Sequence, residues 1–207
     1  MNVKLIHSTP NGEELIAYMA RVSNPDNQSN PNISKLISYL VKHKHWSPFE
    51  MVNVCMEIET TRSIAAQILR HRSFSFQEFS QRYAQVTKPP VLPSLRSQDL
   101  KNRQNSIDDI NPFNQQVWEF KIQQVFDKAT GLYNEMIDAG VAKECAREVL
   151  PLASVSRLYM NGTLRSWLHY IDLREAPGTQ LEHRMIASAC KALIKQQYPN
   201  VCLAMWS

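Results

Sequence analysis

The sequence predicts a soluble chain that mixes α-helices with β-strands and holds no nucleotide through a glycine-rich loop. Three observations carry this. Val52, Val54, Met56 and Ile58 alternate with Asn53, Cys55, Glu57 and Glu59, the period of a strand with one buried face. Ile33, Leu36, Ile37 and Leu40 recur at helical spacing, as does a longer stripe from Trp118 to Met136. Only 5 glycines occur in 207 residues, none in a Gly-x-Gly-x-x-Gly or Walker arrangement. Any bound phosphate must therefore be held by arginine side chains and helix ends.

Composition narrows the function classes. The length suits one large domain or two small ones. No run of about 18 apolar residues is present, so no membrane span is expected. Met1–His7 lacks a signal-peptide pattern. Cys55, Cys145, Cys190 and Cys202 are scattered, with no Cys-x-x-Cys pair. That argues against a disulfide framework or a zinc knuckle, and for the cytoplasm, or a host's cytoplasm if the source is viral. No His-Glu-x-x-His spacing occurs, so no metal is expected. A net charge of +4 fits an anionic small molecule as well as a nucleic acid.

In chain order, residues 3–8 read as a short strand ended by Pro10-Asn11-Gly12, and a helix follows to about Arg21. Asn30-Pro31 reads as a helix entry, with a helix over 31–43. His43–Glu50 is a loop around Pro48. Residues 62–70 turn helical, which places Gln67, Arg70 and His71 on one face. Lys88–Pro93 is a proline break, and 94–110 is open between loop and short helix. Asn111-Pro112 starts the longest helix, which Gly140 ends. Its stripe of Trp118, Ile122, Val125, Ala129, Leu132 and Met136 suits packing within the chain before packing on another subunit. Residues 142–149 are helical up to Pro151. Val155–Met160 is open between strand and helix, and Asn161-Gly162 reads as a turn. Leu164, Trp167, Leu168 and Ile171 form an apolar helical face. Thr179–Glu182 matches a capping box for a last helix running to about Tyr198. Trp118 and Trp167 read as core residues.

The densest chemistry lies in Arg70-His71-Arg72-Ser73-Phe74-Ser75-Phe76-Gln77-Glu78-Phe79-Ser80-Gln81-Arg82-Tyr83. Guanidinium forks suit phosphate, carboxylate or a pyrimidine edge, and Glu78 can accept from a base or ribose. The stretch reads as an anionic-ligand site supported by the other elements.

Arg70-His71-Arg72, followed after seven residues by Ser80, resembles the signature of the flavin-dependent thymidylate synthases. Flanking blocks agree in order: His45–Glu50, Arg147–Pro151, Arg165–Arg174 and Gln180–Glu182. The resemblance implies an α+β fold with a central, mainly antiparallel sheet, flanking helices and no Rossmann unit, as one domain over 1–207. It implies methylation of dUMP to dTMP, with methylenetetrahydrofolate as carbon donor, NADPH as reductant and FAD as mediator, in a homotetramer with shared sites. No nucleic acid or membrane partner is implied.

Carried over by position, FAD would meet Ser47, Arg70, His71, Arg72, Glu78, Thr163, Leu164, Arg165 and His169. The dUMP would meet Gln67, Ile68, Leu69, Arg70, Glu78, Phe79, Ser80, Gln81, Arg82, Arg147 and Arg174. Arg174 is the catalytic candidate, and His45 borders the folate or nicotinamide side. Met51, Gln81 and Gly178-Thr179 depart from the family's usual residues.

Plainer roles compete. Arg70 and Arg72 can pair with Glu57 or Glu59, Arg147 can complement a helix end, and Arg165 with His169 can be a solvated pair. Ser80 lacks an evident adjacent base and suits phosphate binding better than nucleophilic attack. A nucleic-acid binder would use the arginines on phosphates and Phe74, Phe76 and Phe79 for stacking. Another flavoprotein on the same scaffold is a further alternative.

Overall fold

The protein, described over residues 1–206 of a computed structural model, is α+β. Its strands are β1 (Asn2–Ser8), β2 (Asn53–Thr61), β3 (Ser75–Glu78), β4 (Ser97–Gln98), β5 (Ser106–Ile107) and β6 (Val155–Thr163). Its helices are α1 (Gly12–Ala20), α2 (Ser34–Lys42), α3 (Arg62–Ile68), α4 (Pro112–Asp138), α5 (Lys143–Ala146), α6 (Leu164–Glu175), α7 (Leu181–Gln197) and α8 (Pro199–Trp206). Four strands form one antiparallel sheet in the order β1-β2-β6-β3.

The alternation in β2 settles which face of the sheet is covered. Val54, Met56 and Ile58 are fully buried, as are Leu158 and Met160 opposite them on β6. Helices α3, α6 and α7 lie on that face: Ile64, Ile68, Leu164, Trp167, Leu168, Ile171 and Ile186 join the same core. Burial of this apolar surface is the main stabilising term. The Trp167 indole N–H donates to the Val54 carbonyl at 3.0 Å, so even the largest core side chain has its polar atom satisfied.

Several elements differ from the sequence reading. Helix α2 begins at Ser34, because the preceding residues do other work. The Asn30 side chain accepts from the Asn32 N–H, and the carbonyls of Asn30 and Asn32 receive the Arg21 guanidinium at 2.6 and 2.8 Å. The His43–Glu50 loop contains a 3-10 turn, Ser47–Met51, with Pro48 in its first turn. The open segment 94–110 is neither bare loop nor helix. It carries the β4–β5 ribbon, whose turn is tied by Asp99 accepting from the backbone N–H groups of Lys101 and Asn102 and from the Asn105 side chain. The capping box is not formed. Thr179 Oγ1 donates to the Leu173 carbonyl, Glu182 turns to Arg96, and Gln180 is the cap residue. Pro199 does not end the helical region but opens α8, where a proline's missing N–H costs nothing.

Helix α4 starts and ends as its sequence predicts. Asn111 Oδ1 accepts from the Phe113 N–H. Gly140 adopts φ +83°, and the N–H groups of Gly140 and Val141 close back on Ile137 and Met136 in a Schellman arrangement. Its stripe is not where the sequence placed it. Phe126 is buried, and so is Tyr133, with Val86 and Ala146 in the same cluster, whereas Trp118 is 53% exposed and Val125 61%. In the first half of α4 the apolar side chains of Phe113, Val117, Trp118 and Phe120 are exposed.

Asn161 and Gly162 lie inside β6, not in a turn. Gly162 is required by proximity: a Cβ there would meet the Phe74 ring at 2.5 Å, and glycine inside a strand often marks such an approach. Phe74 packs edge-on to Trp167 and Tyr170 and anchors the loop after His71. Gly162→Ala is expected to lower stability by about 1–2 kcal/mol through overpacking, read as a shift in the urea midpoint. An unshifted midpoint would show that Phe74 yields freely.

Candidate active site

The topology brings two helix ends together. β2 runs into α3 and β6 into α6; because the strands are antiparallel, the helices start at opposite ends of the pair and run back over one face. Helix α3 stops at Ile68, but looser turns continue it, with the His71 N–H bonded to the Ile68 carbonyl at 3.0 Å. His71 therefore meets Arg174 from the last turn of α6, and Arg174 Nε donates to His71 Nε2 at 2.9 Å. Gln67 lies on the same side, while Arg70 points to solvent. Among the described residues the Arg174 fork is engaged through Nε alone, which leaves its two terminal nitrogens for a ligand.

An acceptor imidazole must be neutral. Burial, and then the Arg174 charge, hold the His71 pKa down to about 4. Tyr170 packs edge-on to His71, with centroids 4.9 Å apart. The Tyr170 hydroxyl lies 3.1 Å from His183 Nε2, and His183 Nδ1 lies 3.2 Å from Gln67 Oε1. His183 is fully buried, and burial followed by the charge of Arg174 and the nearby His71 brings its pKa to about 4. From Gln67 the run continues through Gln180 at 2.7 Å to Glu182 at 3.0 Å, and Glu182 is paired with Arg96 at 2.8 Å.

A second cluster sits at the other end of α3. Seven residues of helix separate the two by about 10 Å. Arg62 is paired with Glu78, which also accepts from Ser156 Oγ at 2.6 Å. A cleft of about 340 Å³ is lined by Arg62, Gln81, Arg147, Glu148 and the Leu150–Leu152 turn. Gln81 Nε2 is buried there without a protein partner. Two guanidinium groups and a spare amide donor suit an anion. Gln81 adopts an ordinary backbone angle; the positive-φ residues other than glycine are Asn11 and Lys44. Arg82 forms an exposed ion pair with Glu144 at 2.9 Å, the kind that holds a side chain weakly. The Ser80 carbonyl receives the N–H groups of Tyr83 and Ala84, which shapes this loop.

A third group borders the first. Thr163 caps α6 by accepting from the Ser166 N–H, and Ser166 Oγ donates to the Ser73 carbonyl at 3.3 Å, tying α6 to the arginine loop. Arg165 pairs with Glu50 on the turn that carries Ser47. His169 lies edge-on to Trp46, so Arg165 and His169 are not a pair with each other. His45 is exposed within a cluster of rings that includes Tyr39 and His43.

Ile68 and Leu164 are fully buried core residues. Their side chains cannot reach a ligand, so those two positions can act only through the backbone. Leu69 and Phe79 are partly buried. Arg70 and Arg72 are exposed and do not take the plainer role, since Glu57 pairs with Lys4 and Glu59 with Lys88. Arg147 follows the last residue of α5, and its side chain pairs with adjacent Glu148 at 3.4 Å. Phe74 is buried in the core and Phe76 packs against it, which removes two of the three rings a nucleic-acid binder would need. Arg62, Tyr170 and His183 were not singled out from sequence. Arg62 heads a helix next to a strand rich in glutamate, and Tyr170 and His183 sit on apolar faces. Among the described residues no group of three or more His, Cys, Asp or Glu is placed to hold a metal ion.

The family model for thymidylate synthase complementing protein matches residues 4–200. A probable flavin-dependent thymidylate synthase of Paramecium bursaria Chlorella virus 1 is 47% identical over 99% of both chains. The flavin-dependent thymidylate synthase of Synechocystis sp. is 50% identical over 93% of this chain and 89% of its own. Among solved structures, the UMP/dUMP methylase PolB of Streptomyces cacaoi bound with 5-Br dUMP superposes with a TM-score of 0.88 at 25% identity, over 98% of this chain and 93% of that one. The matched span runs through both arginine clusters and the helices that carry them, and on that ground the chain belongs to the flavin-dependent thymidylate synthase family.

Proposed function

We propose that this protein methylates dUMP to dTMP, taking the carbon from methylenetetrahydrofolate and the electrons from NADPH, with FAD as mediator. The observation that carries the reading is the Arg174–His71 pair, a guanidinium held by one nitrogen with the rest of its fork free. The family membership and the dUMP-analogue ligand of the superposed methylase support it.

Each cluster then has a role. Arg174 faces the uracil edge, where a fixed guanidinium stabilises negative charge as it develops on the ring. Neutral His71 aims that fork by accepting from Nε. Gln67 and Leu69 border the nucleotide on the same side, and Arg70 approaches it from the solvent. Arg147, Ser80, Gln81 and Arg82 hold the phosphate, and Glu78, fixed by Arg62 and Ser156, meets the ribose.

The residues also fit FAD. Arg70 and Arg72 are exposed and stay out of the ion pairs among the described residues, leaving them for a pyrophosphate. Ser47, Arg165 and His169 flank them across α6, Thr163 holds the start of that helix, and His45 borders the folate or nicotinamide side. Bound FAD supplies the two-electron chemistry.

The working assembly is a homotetramer in which the phosphate arm and the base arm of one site come from different copies. The exposed apolar side chains of α4, among them Phe113, Trp118 and Phe120, support an oligomer. No helix among the described residues is long and apolar enough to cross a membrane. The free cysteines suit a reducing cytoplasm.

The test is direct. Purified protein is expected to take up FAD, absorb near ~450 nm, and form dTMP only when dUMP, methylenetetrahydrofolate and NADPH are all present. Protein that neither retains flavin nor consumes dUMP would overturn the reading.

A further inference from the structure

The run of side chains from Tyr170 to Arg96 has in its middle Gln67, the one member that the chemistry above uses. We propose that Gln180 and Glu182 are positioning residues for the nucleotide, fixing which end of the Gln67 amide faces it. The inference rests on the assignment of Gln67 to dUMP.

The run has one direction only. A carboxylate accepts and does not donate, so Gln180 must turn its Nε2 to Glu182, at 3.0 Å. Its Oε1 is then left to accept from Gln67 Nε2 at 2.7 Å. Gln67 in turn must show Oε1 to His183, which answers with Nδ1–H at 3.2 Å. That leaves His183 Nε2 bare to accept the Tyr170 hydroxyl at 3.1 Å. Reversing either amide sets oxygen against oxygen or N–H against N–H. With the order set, Gln67 retains one N–H and one lone pair in fixed places for a ligand. The opposite order would exchange donor for acceptor at the nucleotide.

The anchor at the far end is well held. Burial pushes the Glu182 pKa up, but its own backbone N–H, Arg96 and Gln180 outweigh this and bring it below the ordinary value. Arg96 and Glu182 are both mostly buried. Gln180 is exposed, and its backbone caps α7 while its side chain links the anchor to Gln67.

Gln180→Met cuts the link at the surface and leaves the Arg96–Glu182 pair intact. Titrating dUMP into the flavin-loaded protein is expected to give a Kd about fivefold to tenfold higher than wild type, with KM rising more than kcat falls. Glu182→Gln should act the same way, since an amide can present either end. In a Gln67→Leu background, Gln180→Met should add nothing, whereas a merely structural role would add its full loss there too. An unchanged Kd in Gln180→Met, or full additivity, overturns the inference while wild-type binding still stands. A wild-type protein that does not bind dUMP overturns both this inference and the reading beneath it.

Discussion

Arg174→Ala is expected to lower the rate of dTMP formation by about 10²- to 10³-fold, the loss typical of removing a preorganised donor from a developing negative charge. The fold should survive. Arg174 is only half-buried at the end of α6, and among the described residues its one hydrogen-bond partner is the imidazole of His71. Far-UV circular dichroism and the melting transition should therefore stay close to wild type while single-turnover dTMP formation collapses. Arg174→Lys is not expected to rescue it. An ammonium can reach His71 or the pyrimidine edge, but it has no planar fork to do both. Near-normal turnover in Arg174→Ala would remove this residue from its assigned role.

Acidification is expected to destabilise the protein well above the pH at which ordinary carboxylates protonate. His71 and His183 have folded pKa values of about 4, below the usual 6.5, chiefly through burial. The unfolded chain binds protons between pH 6.5 and 4 that the native state refuses. Stability is thus fully present above pH 6.5, falls as pH drops through that window, and levels off below about 4 as far as these two groups are concerned. Allowing for solvent screening around the part-exposed His71, the pair accounts for about 3 kcal/mol. Urea midpoints measured from pH 7 to pH 4.5 should show this slope, and His183→Phe should flatten it. Midpoints that stay level to pH 5 would mean that one or both imidazoles titrate normally.

Local signals were legible where neighbours in sequence decide the outcome. The alternation of β2, the Asn111 cap and the Gly140 stop each depend on a few adjacent residues, and each stands as read. β6 was not legible for the opposite reason. Asn161-Gly162 is a turn signal taken alone, and only pairing with β2 and β3, plus the approach of Phe74, makes it strand. The capping box failed because Glu182 had a stronger partner in Arg96, 86 residues away. The site divides the same way. The arginine loop announces itself as a cluster, but His183 matters only because it meets Gln67, 116 residues distant. Trp118 misled because an apolar stripe does not say which molecule covers it.

The β2–β6 ladder also sets when the molecule becomes competent. Asn53 faces Thr163 across it, and every helix bearing site residues hangs from one of those two strands or the chain beyond them. Arg174 and His71, 103 residues apart, are brought within reach only after this long-range closure, whose entropy must be lost before any contact repays it. The residues of the arginine loop are neighbours in sequence, whereas the pocket they belong to depends on contacts about a hundred residues apart.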